Sequence, residues 1–223
     1  MTALTQRLAG DRAAQIILGL SALFGLAYLF HDFGLAAPYP GNVVIKAAGI
    51  ILLAGFALQQ KHPVLALGLF LGSLGDIFLA LEPTQLAAGI GAFGLGHLVY
   101  IYLFARIRLT HGGRAGWSRI AALALAAYGV VILSWLQPYF GELQIPASIY
   151  NGIIMVMAVL ALIGRASPIA VAGALLFVLS DSVLAVRLFA EQWPWAGWVV
   201  WISYYLGQAG IAIGLTEPLP GKA

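Results

Sequence analysis

Residues 63–81 read PVLALGLFLGSLGDIFLAL, an apolar run opened by Pro63 and interrupted by a single acid, Asp76. Nineteen residues at about 1.5 Å each reach roughly 28 Å, close to the roughly 30 Å of bilayer hydrocarbon, so the stretch predicts a transmembrane helix. A proline at the first helical turn suits such a start, because its missing N–H would have no intrahelical acceptor there. A second stretch, residues 168–185, reads PIAVAGALLFVLSDSVLA and repeats the plan: Asp181 follows Pro168 by thirteen residues, as Asp76 follows Pro63. Two related helices are therefore expected to carry their carboxyl groups at one depth, roughly 20 Å from their proline ends. A carboxylate in hydrocarbon costs several kcal/mol, and a matched pair points to a functional site.

Outward from these runs the whole chain has the same character. It is 62% hydrophobic and 9% charged over 223 residues, with mean hydropathy +0.96, which identifies an integral membrane protein. Apolar spans are predicted at 14–30, 42–58, 63–81, 86–104, 118–136, 146–163, 168–189 and 195–215, giving an all-α membrane protein with eight transmembrane helices in one domain, 1–223. Arg7 and Arg12 ahead of the first run, with Leu35-Ala36-Ala37 after it, imitate a cleavable leader. The flanks equally suit a first transmembrane helix followed by others, and a retained span is expected.

Arg7, Arg12, Lys61, Arg106, Arg108, Arg114, Arg119, Arg165 and Lys222 all fall on one side of this arrangement, whereas Asp32, Glu82, Glu142 and Glu191 fall on the other. The positive-inside rule then puts both termini in the cytoplasm. The basic residues lie in short connections and form no continuous face, so nucleic-acid binding is not implied. Lys46 and Arg187 lie within spans near the outer boundary, placed either to snorkel to the headgroups or to turn inward toward the acids. Without cysteine, disulfides and thiolate chemistry are excluded.

Laying 62–81 over 167–186 pairs Gly68 with Gly173 and Asp76 with Asp181, and a weaker echo pairs Leu95-Gly96-His97 with Leu206-Gly207-Gln208. A parallel pseudo-repeat of helices 1–4 and 5–8 is expected, related by an axis along the membrane normal. At compatible depths lie His97, Tyr100, Asn151, Tyr204, Gln208 and Lys46, which are expected to line one central cavity with the acids. More ordinary roles compete: a structural ion pair between the acids and Lys46 or Arg187, packing for His97 and the tyrosines, close helix contacts for the glycines, and an interfacial belt for Trp193, Trp195 and Trp198. His31, His62 and His111 are expected in loops, which argues against a histidine-bound zinc, and no Gly-x-Ser-x-Gly elbow marks a serine nucleophile.

Pro63 to Leu81, Phe93 to Tyr100, Phe177 to Asp181 and Tyr204 to Gln208 together resemble the YhhN-like lysoplasmalogenase family over nearly the whole chain. The resemblance implies an eight-helix membrane hydrolase that cleaves the vinyl ether bond of lysoplasmalogens to a fatty aldehyde and a glycerophospho-headgroup. It further implies catalytic roles for Asp76 and Asp181 and pocket roles for Lys46, His97, Tyr100, Tyr204 and Gln208. The chemistry suits the residues. A vinyl ether becomes an oxocarbenium-like electrophile once its alkene carbon is protonated, and a carboxyl group in low dielectric can keep a proton at neutral pH while a second carboxylate activates water. On this expectation His97 shuttles a proton or orients water, Tyr204 and Gln208 bind the glycerol hydroxyl, and Lys46 or Arg187 holds the phosphate. No cofactor or metal is called for. The expected partners are a lysophospholipid substrate and membrane lipids, and the alanine- and glycine-rich composition with minimal loops suggests the cytoplasmic membrane of a bacterium. The same acids would also suit a proton-coupled transporter of a small or lipid-like solute. Neither the oligomeric state nor the assignment of acid and base within the pair is legible at this level.

Overall fold

A computed structural model describes residues 10–30 and 37–218; Arg7, His31, Asp32, Leu35, Ala36 and Lys222 lie outside the described residues. The described chain contains eight long apolar helices: α1 (Arg12–Leu29), α2 (Gly41–Gln59), α3 (Pro63–Ala80), α4 (Leu86–His111), α5 (Trp117–Leu136), α6 (Gln144–Ile163), α7 (Pro168–Phe189) and α8 (Ala196–Thr216). Two short 3₁₀ turns, Gln137–Tyr139 and Gly141–Leu143, link α5 to α6. No strand occurs among the described residues. Exposed apolar side chains such as Leu23, Leu123 and Val131 cover the outside, as a protein solvated by lipid requires.

Local signals set the helix starts. Pro63 and Pro168 occupy the first turns of α3 and α7, and the Ser167 hydroxyl accepts the Ile169 N–H at 3.2 Å. Asp11 caps α1, accepting the Ala14 N–H at 3.0 Å, and its second oxygen accepts from the side-chain amides of Gln59 and Gln60, both at 2.9 Å. One carboxylate thus ties the start of α1 to the end of α2. These bonds, that of Ala14 foremost, hold Asp11 below its ordinary carboxylate range.

Helix α4 differs from expectation. It continues seven residues beyond the predicted 104, so Arg106, Arg108 and His111 are helical and not part of a loop. Basic groups in a final turn favour the carbonyl end of a helix, and a helix need not stop where hydrocarbon stops. Beyond it Arg114 donates to the Ala166 carbonyl at 2.8 Å, joining the α4–α5 connection to the α6–α7 connection.

The densest packing lies within α7–α8 and α3–α4, and small residues cause it. At Gly173 an added Cβ would stand 2.7 Å from both the Gly207 carbonyl oxygen and the Ile211 nitrogen. Gly96 meets the Gly68 carbonyl in the equivalent way, at 3.0 Å. Such backbone approaches substitute for a hydrophobic driving force that lipid does not supply. Helices α1 and α5 are peripheral, with only Ala14, Ser21 and Gly25, and Ala122, Gly129 and Leu136, buried. A Tyr205 hydroxyl 2.9 Å from Ser21 Oγ and a Trp201 Nε1 donating to Gly25 O at 2.7 Å hold α1 on α8.

Candidate functional site

A cavity of about 270 Å³ opens among α1, α2, α3, α4, α7 and α8, at the end of the bundle where the α3–α4 and α7–α8 connections lie. Asp76 and Asp181 both line it, with Lys46, Arg187, Tyr28 and Tyr204. Placing two acids there required only that α3 and α7 present matching positions to the space between them.

The two carboxyl groups are held differently. Asp76 is only 2% exposed; Lys46 Nζ lies 3.6 Å from its Oδ1, and the Tyr204 hydroxyl donates to its Oδ2 at 2.6 Å. Lys46 also stands over the Tyr28 ring, 5.6 Å from its centroid, so an aromatic face helps compensate its removal from water. Asp181 is half-buried and makes no ion pair among the described residues; the Tyr150 hydroxyl of α6 donates to its Oδ2.

Behind Asp76 runs a directed chain. The Tyr100 hydroxyl donates to Gln208 Oε1 at 2.7 Å, Gln208 Nε2 donates to the Tyr204 hydroxyl at 3.3 Å, and Tyr204 donates to Asp76. Every bond points toward the carboxylate. The amide in the middle passes no proton readily, so the chain fixes Asp76 and adds donor density to it, as cooperative hydrogen bonds do.

Several expected residues take other positions. His97 borders neither this cavity nor the groove beside it: its Nδ1–H donates to its own-helix Phe93 carbonyl at 2.7 Å, and Tyr100, Tyr150 and Phe177 surround the imidazole edge to face. Contact with Tyr150, which binds Asp181, and with Tyr100, which starts the chain to Asp76, makes it a packing support beneath both acid-holding arrangements. Tyr100 and Gln208 likewise stay behind the cavity wall, and Gln208, only 1% exposed, has its amide oxygen and nitrogen each engaged by a tyrosine. Asn151 lines the neighbouring groove and donates to Gly129 O at 3.2 Å. Lys46 turns inward as one of its two expected options, whereas Arg187 is exposed at the cavity's rim. Ser73 and Ser180, close to the acids in sequence, bond the carbonyls of Ala47 and Val200 and serve helix contacts. Tyr150 was not singled out from the sequence. Its neighbour Asn151 is a polar residue of that span, but one position along a helix rotates a side chain by about 100°, and Tyr150 is the one that meets Asp181.

Among the described residues no three His, Asp or Glu side chains gather into a metal-binding group. Trp193 and Trp195 stack with centroids 4.9 Å apart, and Trp193 bonds Glu191, at the end of the bundle where the cavity opens.

Fold and site together define a multi-pass helical membrane protein with a paired-carboxyl cavity. The YhhN family model matches residues 41–215, and the chain belongs to that family. It is 31% identical over 183 residues to lysoplasmalogenase TMEM86B of Homo sapiens, an alignment covering 79% of this chain and 76% of that protein. It is 30% identical over 181 residues to the lysoplasmalogenase of Mycobacterium tuberculosis, covering 76% and 68%. No solved structure matches the chain.

Proposed function

We propose that this protein is a hydrolase of lysoplasmalogen-like lipids, acting as a single eight-helix domain (1–223) in the cytoplasmic membrane of a bacterium, with both termini cytoplasmic. The observation that carries the reading is one cavity bounded by Asp76 and Asp181, of which, among the described residues, Asp76 alone is paired with a cation. The similarity to proteins named lysoplasmalogenase supplies the substrate class.

With Arg187 exposed at the rim and solvated there, the one buried ammonium and the two carboxyl groups in a low-dielectric space balance electrically when the pair keeps one proton. With Lys46 on Asp76, that proton belongs to Asp181. Tyr150 engages Oδ2 of Asp181, leaving Oδ1 to donate. In the reaction Asp181 protonates the alkene carbon once removed from the ether oxygen, and the oxocarbenium ion that forms is stabilised by the Asp76 carboxylate. Water, giving up a proton to a carboxylate, adds to the cationic carbon. The hemiacetal then breaks its bond to the glycerol oxygen, releasing fatty aldehyde and the glycerophospho-headgroup; the net change is addition of one water. Arg187 at the rim is placed for the phosphate.

The parallel pseudo-repeat is part of this proposal, and the packing supports it. Gly96 meets the backbone at Gly68 and Gly72, while Gly207 meets it at Gly173 and Phe177, the counterparts 105 residues on. Under the same offset Lys46 corresponds to Asn151, and Tyr204 falls opposite Phe93 in the weaker echo. Asp181 therefore has Asn151 and Phe93 where Asp76 has Lys46 and Tyr204, and lacks counterparts of the cation and the hydroxyl that hold Asp76. Such divergence would turn a symmetric pair of acids into one base and one acid.

The purified protein with a lysoplasmalogen is expected to release aldehyde and headgroup in equal amounts. Accumulation of an unaltered solute in proteoliposomes, driven by a proton gradient and without aldehyde, would instead make it a transporter.

A further inference from the structure

Beside the polar cavity lies a second space, a groove of about 80 Å³ between α4, α5, α6 and α7. The two share a partition made of Leu79, Phe93, Asp181, Leu184 and Leu188, so Asp181 borders both. The groove's polar neighbours offer little to a ligand. Tyr150 is bonded to Asp181, Asn151 Nδ2 to Gly129 O, and the Ser182 hydroxyl to Val178 O at 2.7 Å. What remains is a wall of Ile, Leu, Phe, Met and Val side chains.

Its dimensions restrict the occupant. Along α7 the groove extends from Val178 to Phe189, about 16 Å by helical rise and more than half the hydrocarbon thickness. Its volume gives room for roughly five to eight water-sized positions. That is a single file of methylene groups. Its far side is α5, the peripheral helix with three buried residues, which touches α7 only lightly and leaves an approach from the bilayer.

We infer that the groove between α4, α5, α6 and α7 is the binding site for one unbranched hydrocarbon tail, entered sideways from the membrane, and that its width selects single-chain over two-chain lipids. This deepens the hydrolase reading and rests on it for the identity of the lipid. A tail in the groove brings the first carbons of the chain to Asp181 at the partition, and the headgroup passes into the polar cavity toward Arg187. The acid assigned as proton donor then stands at the junction of tail and headgroup, where the vinyl ether carbons lie.

The test uses a single-chain alkyl ether phosphocholine with a diazirine in mid-tail, photolysed with the full-length protein in detergent and mapped by mass spectrometry. Labelling is expected on Leu133, Leu136, Ile154 and Met155, displaced by unlabelled single-chain lipid and not by a two-chain ether lipid. Leu133→Trp and Ala147→Trp should each cut it about tenfold at sub-saturating probe, two variants guarding against misfolding of either. Label spread over lipid-facing positions such as Leu123 and Ile145, or displaced by two-chain lipid, would overturn the inference. In turnover, Leu133→Trp should raise KM for a long-chain lysoplasmalogen by about tenfold, the loss of roughly two buried methylenes, and leave that for a short-chain one unchanged. If groove labelling is found and no aldehyde forms with any lysoplasmalogen, the tail site stands and the hydrolase reading falls; if aldehyde forms without groove labelling, the reverse holds.

Discussion

Replacing Lys46 by Met tests how Asp76 is held. The two side chains are nearly equal in length, so Met fills the space of the lysine stem and removes only the ammonium, 3.6 Å from Asp76 Oδ1. Asp76 would then be left at 2% exposure with the Tyr204 hydroxyl as its remaining donor. Removing one partner of a buried ion pair costs about 3–5 kcal/mol, because the surviving charge is uncompensated. The lost contact with the Tyr28 ring adds about 0.5–2 kcal/mol, part of which the Met side chain recovers by packing on the same ring. A net destabilisation of about 3–5 kcal/mol is therefore expected for Lys46→Met. Lys46→Met combined with Asp76→Asn should recover most of it, since a neutral amide needs no counter-charge. Unfolding of all four proteins in detergent, followed by tryptophan fluorescence, gives the coupling directly as a double-mutant cycle. If Lys46→Met is as stable as the parent, or if Asp76→Asn on top of it brings no recovery, the ion pair is not what holds Asp76 in the bundle.

Three further predictions follow from the same contacts. Tyr204→Phe removes a hydrogen bond to the charged Asp76, worth about 1.5–3 kcal/mol, so kcat on a lysoplasmalogen should fall about 10- to 100-fold; Tyr150→Phe removes one to the protonated Asp181, worth about 0.5–1.5 kcal/mol, for a fall of about 2- to 10-fold, with the helical circular dichroism unchanged in both. Gly173→Leu drives a side chain into the backbone of Gly207, Gly210 and Ile211, which cannot yield as a side-chain tip would; a loss of at least about 3 kcal/mol is expected, whereas Gly91→Ala, with nothing near its Cβ, should be silent in the same thermal assay. The depressed Asp11 carboxyl contributes stability that is complete above its ordinary value of 3.8 and is lost as pH falls through its lower folded value. Hydrogen exchange at the start of α1 should therefore stay slow down to about pH 4 and quicken below it, and Asp11→Ala should remove that pH dependence.

Position along the helix was legible in the sequence, and azimuth was not. Helix rise counted from Pro63 and Pro168 put Asp76 and Asp181 at one level, and both do border one cavity. The same counting put His97, Tyr100, Asn151 and Gln208 at compatible levels, but none of them reaches that cavity. A helix that is apolar nearly all round offers no stripe to say which way a given side chain faces. Tyr150 stayed hidden for a related reason: aromatic residues are common in such bundles, and its value comes only from meeting Asp181 across two helices. Chain termination by hydropathy failed at α4, where arginines continue the helix past the apolar run. Of the glycines expected to make close helix contacts, Gly68, Gly72, Gly89 and Gly96 do so, whereas Gly91 has open space at its Cβ position; Gly96 and Gly207 make theirs at matching places.

The central claim is that Asp181 delivers a proton to carbon while Asp76 answers the charge it creates. Turnover of a lysoplasmalogen in D₂O measures this directly, by mass spectrometry of the aldehyde trapped as it forms. The parent protein should place one deuterium on the carbon next to the aldehyde carbon, and Asp181→Asn and Asp76→Asn, both inserted and folded, should give no product above the uncatalysed level. Aldehyde formed at the parental rate by Asp181→Asn, or aldehyde without deuterium at that carbon, would contradict the account.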